Sequence, residues 1–385
     1  MSEYIRSGPV SLYLHFPFCE RKCRYCDFLS GPAGEETRVE YINLLCREIA
    51  LRAEEVPGRV DTVFIGGGTP SLMTPAQAER VMETIRRSFT VMDSAEISME
   101  VNPGTADLGK LLAFRAAGIN RLSIGVQSFD DDELRLLGRI HNSGQAREIF
   151  LLARKAGFTN INLDLMSALP GQKIASWSKS LREAVVLGPE HISAYSLIIE
   201  DGTPFATMPL PNLPSEEEDR DMYHLTKQFL AENGYSRYEI SNYARAGHEC
   251  RHNCGYWTGH QYLGLGLGAS SDLDNVRFHN PNEITLYRSL IEKQDMAAMR
   301  RESRKMTRDD RMEEFMFLGL RMTDGVSERE FEQRFGTKLE DQYGDILHKH
   351  LAQNLIRRIA KDGGRIALTE YGMDVANYVM SDYLL

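Results

Sequence analysis

The sequence predicts an α/β fold with a parallel β-sheet, followed by a smaller helix-rich module. Through roughly the first 200 residues, short apolar runs rich in β-branched residues alternate with amphipathic segments of helical period. Strands separated by helices of this length form βα units and pair in parallel. Polar residues cluster directly after the apolar runs, where a parallel sheet builds its ligand site. Periodicity alone leaves a partial barrel and a doubly wound sheet open.

The elements follow one another in regular order from the N-terminus. Strands are predicted where apolar runs are bounded by turn residues, and helices where apolar positions recur every three to four residues. The predicted strands are residues 11–16, 61–65, 96–101, 121–126, 160–165 and 191–198. The helices predicted between them are residues 37–55, 75–88, 106–117, 131–137, 144–156 and 174–187.

The second half of the chain has a different pattern. Four prolines between residues 204 and 214 mark a connector, which leads through an acidic run into a helix that ends at Glu232. A glycine-rich loop is predicted over residues 255–268. From Thr307 the order is three helices, a two-strand wing around residues 362–364 and a final helix, which resembles a winged-helix module. We expect a packing or partner role for this module, because a fold does not fix a function.

Charge and hydropathy exclude two classes of protein. The formal charge is −10, which argues against a nonspecific nucleic-acid binder and against a nucleic-acid-modifying enzyme. No window approaches the roughly 20 apolar residues of a membrane-spanning helix. The N-terminus shows no secretory signal pattern, so we expect a cytoplasmic protein with reduced thiols.

Three of the six cysteines, Cys19, Cys23 and Cys26, form a C-x3-C-x2-C loop directly after the first predicted strand. Thiolates are the ligands of iron–sulfur clusters and of zinc. Structural zinc takes four ligands, and no second cysteine pair lies near this loop. A cubane cluster on three thiolates leaves one iron open to a small chelating ligand. Zinc and a chance group of surface thiols are the alternatives.

With Tyr25 before its third cysteine, this loop resembles that of the radical S-adenosylmethionine (SAM) superfamily. The resemblance implies a partial (β/α)6 TIM-type barrel in which the three cysteines hold a 4Fe–4S cluster. It also implies that the amino and carboxylate groups of SAM chelate the fourth iron, and that reduction cleaves SAM to a 5′-deoxyadenosyl radical. The glycine-rich turn at residues 66–70 matches the family segment that contacts the SAM amino group.

Over nearly the whole chain, the sequence resembles the HemN/HemW family, which is related to anaerobic coproporphyrinogen III oxidase. The segments that carry this resemblance are residues 12–19, 99–103, 123–129, 162–166 and 169–171. The family match implies SAM contacts at Tyr13, Gly67, Gly68, Thr69 and Glu100. Positions that bind a second SAM in the oxidase are matched by Tyr25, Gln127, Arg139 and Asp164.

Two departures separate this chain from the oxidase. Phe28 stands where the oxidase has a fourth cysteine, and only about ten residues precede the first strand. Both features follow the pattern of the HemW heme chaperones. The segment His252-Asn-x-x-Tyr256-Trp257 resembles the heme-binding signature of that group, and histidine is a common axial ligand of heme. Packing of His252 and Trp257 at a domain junction is the alternative.

The resemblance implies a chaperone that binds a 4Fe–4S cluster, SAM and heme and passes the heme to acceptor proteins, membrane-bound respiratory enzymes included. It also implies a homodimer. A radical SAM enzyme, such as oxygen-independent coproporphyrinogen III oxidase, is the alternative function. The predicted domains are a core barrel over residues 1–235, a connecting region over 236–306 and a C-terminal HemN-like α+β module over 307–385.

Overall fold

The computed structural model describes residues 8–56 and 58–384. The strands are β1 (Val10–Phe16), β2 (Phe18–Cys19), β3 (Gly31–Pro32), β4 (Arg59–Gly67), β5 (Thr90–Val101), β6 (Arg121–Gln127), β7 (Ile161–Ser167), β8 (His191–Ser196), β9 (Ser236–Arg237), β10 (Asn242–Ala244), β11 (Tyr262–Leu265), β12 (Ser270–Leu273), β13 (Val276–His279), β14 (Arg301–Lys305), β15 (Val326–Ser327), β16 (Ile356–Ile359) and β17 (Arg365–Leu368). The helices are α1 (Glu35–Leu51), α2 (Pro75–Ser88), α3 (Leu108–Ala116), α4 (Asp131–Leu137), α5 (Ser143–Lys155), α6 (Ile174–Leu187), α7 (Glu216–Glu232), α8 (Arg251–Trp257), α9 (Ile284–Lys293), α10 (Met296–Met299), α11 (Arg308–Gly319), α12 (Glu328–Phe335), α13 (Leu339–Ala352), α14 (Glu370–Asp374) and α15 (Ala376–Ser381).

The main sheet has a parallel centre and antiparallel margins. Its parallel strands are ordered β11-β1-β4-β5-β6-β7-β8, and within the described residues no pairing closes them into a full barrel. The ribbon β12-β13-β14 extends one margin and β10-β9 the other. The six predicted parallel strands are present, and the α/β class with a partial TIM-type barrel is confirmed.

The prediction of a loop over residues 255–268 is wrong. This segment contains the end of α8 and the strand β11, which pairs in parallel with β1 as a seventh parallel strand. The glycine in the strand hides it from sequence analysis, because glycine is depleted in strands. A Cβ atom on Gly264 would lie 2.1 Å from the backbone oxygen of Ser270, so the close approach of β12 requires glycine there.

Local sequence signals set the helix boundaries. The helices α2, α5, α7 and α11 each begin with a capping box, in which the N-cap side chain and the N3 side chain bond each other's backbone N–H. The strand β1 is buried at six of its seven positions, as expected for a parallel strand covered on both faces. These signals explain why the helices and most central strands were predictable within a few residues; β5 is the exception, since it begins at Thr90 and not at residue 96.

The C-terminal module has its own hydrophobic cluster, which includes Met316, Phe331, Leu347 and Tyr383. Its sheet, ordered β15-β17-β16, contains the predicted wing of two strands and one strand more. The added strand, β15, has only two residues and gives no pattern of its own in the sequence. The predicted domain boundaries stay a prediction. None of the described helices has both the length and the apolar character needed to cross a membrane.

Candidate functional site

A cavity of about 770 Å³ is lined by residues from the parallel strands and from the loops at their carboxyl ends. It brings together all but one of the residues predicted to bind a cluster, SAM or heme. Trp257 is the exception. The predicted residues that line the cavity are Cys19, Cys23, Cys26, Tyr13, Tyr25, Gly67, Gly68, Thr69, Glu100, Gln127, Arg139, Asp164, His252 and Tyr256.

The cysteine loop is fixed to the segment that follows α4, and its three cysteines are free and half-buried. The Arg21 guanidinium donates to the Gly138 carbonyl at 2.9 Å, and the Arg24 backbone N–H donates to the Leu137 carbonyl at 3.0 Å. Burial raises the pKa of the Cys26 thiol, so without a metal this thiol keeps its proton. The loop therefore presents three thiols to one cavity on a fixed backbone.

The arrangement of these thiols distinguishes between kinds of metal site. Among the described residues, no three His, Cys, Asp or Glu side chains converge as they would around a single ion. A structural zinc ion needs such convergence, whereas a cubane takes one thiolate at each of three separate irons. Arg139 donates to the Cys23 sulfur at 3.5 Å, so a positively charged donor faces this side of the loop. The residues present fit a multi-iron cluster.

The glycine turn after β4 closes tightly around the strand ends. Gly67 has a φ of +111°, and a Cβ atom on it would lie 2.5 Å from the His15 ring. A Cβ atom on Gly68 would lie 2.6 Å from the backbone oxygen of Phe18. The Gly67 N–H donates to the Glu100 carboxylate at 3.0 Å. The turn thus holds backbone and a carboxyl group at the cavity wall, and it requires glycine because a Cβ atom would collide with neighbouring parts of the protein.

Two carboxyl groups share the cavity. Burial, and to a lesser degree the charge of Asp164, raises the pKa of Glu100 to about 8. Burial also raises the pKa of Asp164, which accepts hydrogen bonds from Ser123 at 3.0 Å and from Asn162 at 2.8 Å. Two neighbouring carboxyls that resist ionisation favour a cationic ligand, which would let both lose their protons.

The other residues predicted to contact SAM line the same cavity. Arg139 donates to the Asn102 side chain at 2.7 Å and to the Gly125 carbonyl at 2.6 Å. Gln127 ends β6 with a φ of +67°, a left-handed conformation that is uncommon for a residue with a side chain. The Tyr13 hydroxyl lies 2.9 Å from His15 Nδ1, and burial raises the pKa of both Tyr13 and Tyr25.

His252 lies at the cavity wall with both ring nitrogens engaged. Its Nδ1 is 2.8 Å from the Thr62 hydroxyl, its Nε2 is 3.0 Å from the Tyr256 hydroxyl, and its ring stacks on Phe64. Burial, with the nearby Arg121 charge, lowers the pKa of His252 to about 3. The imidazole is therefore neutral at physiological pH, which is the form that binds a metal.

The structure does not bring Trp257 to this cavity. Trp257 lines a second, smaller cavity of about 190 Å³ beside the C-terminal module, together with Phe315 and Phe335. The Arg321 guanidinium stacks on the Trp257 ring at 4.3 Å. The predicted heme-binding segment therefore contributes to two different surfaces.

Several cavity residues were missed by the sequence analysis. They share one feature, which is a polar side chain inside or directly before an otherwise apolar strand. Alternation within each strand was the available signal, since polar residues at every second position point to one face. The missed residues are His15, Arg121, Ser123, Asn162 and Ser193.

Comparison with known proteins gives two family matches. The model of the radical SAM superfamily matches residues 13–184, and that of the HemN C-terminal domain matches residues 306–375. Proteins named heme chaperone HemW are similar over nearly the full length. The one from Bacillus subtilis is 37% identical over 97% of this chain and 99% of its own, and the one from Lactococcus lactis is 34% identical over 98% of both.

A solved structure agrees with these matches. Coproporphyrinogen III oxidase (HemN) from Escherichia coli, described as a radical SAM enzyme, superposes with a TM-score of 0.83 at 25% identity. The superposition covers 98% of this chain and 90% of that one.

Proposed function

This chain belongs to the radical SAM superfamily and, within it, to the HemN/HemW family, and from that membership we propose that it is a heme chaperone. In this proposal it binds a 4Fe–4S cluster, SAM and heme, and it passes the heme to acceptor proteins. The observation that carries the proposal is the near-full-length similarity to proteins named heme chaperone HemW. The cavity supports it, because His252 and Tyr256 line the same space as the cysteine loop.

The cluster and SAM would be held by the residues at the carboxyl ends of the strands. Cys19, Cys23 and Cys26 would each ligate one iron. When bound, the cluster and SAM supply a one-electron reductive cleavage of the sulfonium. Glu100 can pair with an ammonium group or accept hydrogen bonds from ribose hydroxyls, and the Gly67 and Gly68 backbone lets a ligand approach closely.

Heme would bind through the neutral imidazole of His252. If Nδ1–H donates to Thr62, the Nε2 lone pair faces the Tyr256 hydroxyl, and an iron would replace that hydroxyl. Thr62 would then keep the ring oriented, as the outer partners of metal-bound histidines do. Ligation thus requires Tyr256 to give up one hydrogen bond.

Heme titration of the reconstituted protein tests this proposal. We expect stoichiometric binding with a Soret band that His252→Ala abolishes or shifts. Tyr256→Phe is the matched control, because it keeps the imidazole and frees Nε2, so it should retain binding. If the wild type does not bind heme and converts coproporphyrinogen, the chaperone function is refuted and the oxidase function is supported.

A radical SAM enzyme is the second candidate function. It is favoured by one observation, which is that the residues matched to SAM contacts line a single cavity beside the cysteine loop. A protein that only carried heme would not need this arrangement. We therefore propose that SAM cleavage is retained. Phe28 in place of the oxidase's fourth cysteine argues against coproporphyrinogen as the substrate. Heme acceptors in the membrane and a homodimer stay predictions.

A further inference from the structure

Arg121 is a buried charge with almost no partners. It opens β6, is 2% exposed and lines the cavity. Its Nη1 donates one long hydrogen bond of 3.4 Å to the Ser98 hydroxyl, and its Nε is buried without a hydrogen-bond partner. A guanidinium keeps its charge at all accessible pH values and has five N–H donors. A buried donor without an acceptor is unfavourable, and most donors of this guanidinium have no hydrogen-bond acceptor among the described residues.

Burial opposes the charge of Arg121, and neighbouring acidic groups, Glu96 and Asp164 among them, outweigh that effect and raise its pKa, but neither carboxylate hydrogen-bonds the guanidinium. The Glu96 carboxylate accepts from the Cys250 thiol at 3.6 Å and from the backbone N–H groups of Arg251 and His252 at 3.1 and 3.2 Å. These bonds commit Glu96 to the first turn of α8. Asp164 accepts from Ser123 and Asn162 instead. Across residues 8–56 and 58–384, no ion pair joins Arg121 to a carboxylate.

The other buried guanidinium of the cavity is different. Arg139 has acceptors in the Asn102 side chain, the Gly125 carbonyl and the Cys23 sulfur. It lies beside the cysteine loop, where the predicted SAM contacts are. The Nε of Arg139 is also buried without a partner, but Arg139 makes three hydrogen bonds and Arg121 only one long one. Arg121 is therefore the arginine of the two with more donors left for a ligand.

The position of Arg121 separates it from the cluster loop. Arg121 pairs with Ser98 in the sheet, whereas Gly125, four residues further along β6, pairs with Asp164. Four residues of strand span about 13 Å. The cysteine loop follows the carboxyl end of β1, so Arg121 lies at the opposite, amino-terminal end of the parallel strands.

We propose that Arg121 binds a carboxylate of an organic ligand at this deep end of the cavity. A guanidinium matches a carboxylate through two parallel hydrogen bonds, and the Nε and Nη donors supply such a fork. Two ligands of the proposed function carry the required group: heme through its propionates, and a second SAM, not chelated to the cluster, through its amino-acid portion. The preference for a carboxylate follows from the unpaired donors of Arg121, whereas the two candidate ligands rest on the proposed function.

The test compares each acid with an analogue that lacks the free carboxylate. Full-length, cluster-reconstituted wild type, Arg121→Gln and Arg121→Lys are titrated with heme and heme dimethyl ester, and with SAM and 5′-methylthioadenosine. We expect Arg121→Gln to weaken binding of one acid by roughly 10- to 100-fold and to leave its analogue unchanged. Arg121→Lys should recover part of the loss, because it restores the charge without the fork.

The outcomes distinguish between a heme ligand, a SAM ligand and a purely structural role of Arg121. Selective loss of heme over its ester assigns a propionate, and selective loss of SAM over methylthioadenosine assigns the amino-acid portion of SAM, whose carboxylate is the group that a guanidinium pairs with. Equal weakening of acid and analogue, or no weakening of either acid, overturns the proposal. Iron content and thermal unfolding report whether each variant folds, and if Arg121→Gln does not fold, the same acid-to-analogue ratio in Arg121→Lys decides. If wild type binds no heme, the proposed function fails while the SAM comparison still tests Arg121.

Discussion

Replacing Glu100 with Gln should stabilise the ligand-free protein, and the gain should grow with pH. In the native state, burial and the neighbouring Asp164 raise the pKa of Glu100 from 4.5 to about 8. Above pH 4.5 the unfolded chain loses this proton, whereas the native state keeps it until about pH 8. The free energy of unfolding therefore falls progressively between these two pH values, and above about pH 8 the loss stays constant. Glutamine cannot ionise, so the variant lacks this dependence.

The magnitude follows from the difference between the two pKa values. The interval from 4.5 to about 8 corresponds to about 5 kcal/mol, at about 1.4 kcal/mol for each pH unit. Glu100 is half-buried and lines the large cavity, so its partial exposure to solvent reduces this upper limit. We expect a gain of about 1–3 kcal/mol at pH 8 and less than about 1 kcal/mol at pH 5.

Urea unfolding of the cluster-free protein at pH 5, 6, 7 and 8 measures this difference. The amide oxygen introduced by Glu100→Gln can still accept from the Gly67 N–H, so the comparison isolates ionisation from the loss of a hydrogen bond. Asp164→Asn is a second perturbation, which should lower the pKa of Glu100 and flatten the pH dependence. A stability difference that is the same at pH 5 and pH 8, or that favours the wild type at pH 8, would refute the reasoning.

Three further predictions concern the cluster and SAM. Replacing any one of the three loop cysteines with Ala should abolish the broad visible absorption of an iron–sulfur cluster, and a variant with full iron content would contradict the assignment. Gly68→Ala should disrupt the turn and weaken SAM binding in equilibrium titrations. Gly34→Ala is the control, because a Cβ atom there meets no atom within 4 Å, and it should leave SAM binding unchanged. Equal SAM affinities of the two variants would contradict the requirement for glycine at residue 68. The reconstituted protein should form 5′-deoxyadenosine when it is incubated with SAM and a reductant, and chromatography measures this product. Absence of the product would contradict retained SAM cleavage.

The central sheet was predictable because its signals are local. Apolar runs, capping boxes and turn residues lie within a few positions of the boundaries they set. The antiparallel margins were not predictable in this way. All five residues of β14 are exposed, and the strand is mostly charged, so its pairing with β13 depends on the partner strand and not on its own hydrophobicity. The strand β9 has only two residues, too few for a pattern of its own, and it is defined by its pairing with β10.

The candidate site divides along similar lines. The spacing of the cysteine loop is rare by chance, whereas the glycine turn is weak evidence alone and gains weight only together with that loop; both line the cavity. Arg121 carries no such signal, since an arginine at the start of a strand is normally exposed. Only the burial of its side chain among groups that already have partners distinguishes it. Sequence patterns identify residues that belong to a motif with fixed spacing. They do not identify a residue such as Arg121, whose distinguishing feature is a buried side chain without hydrogen-bond acceptors.

Helix geometry explains why the predicted heme-binding segment cannot form one surface. At about 100° per residue, Tyr256 lies about 40° around the helix from His252, whereas Trp257 lies about 140° away. The first two side chains therefore face the large cavity together, and Trp257 faces the C-terminal module, where Arg321 stacks on it. A ligand that touched all three would require α8 to unwind or rotate. For the proposed heme site we therefore expect a division of roles, in which His252 and Tyr256 contact the ligand and Trp257 packs α8 against the C-terminal module.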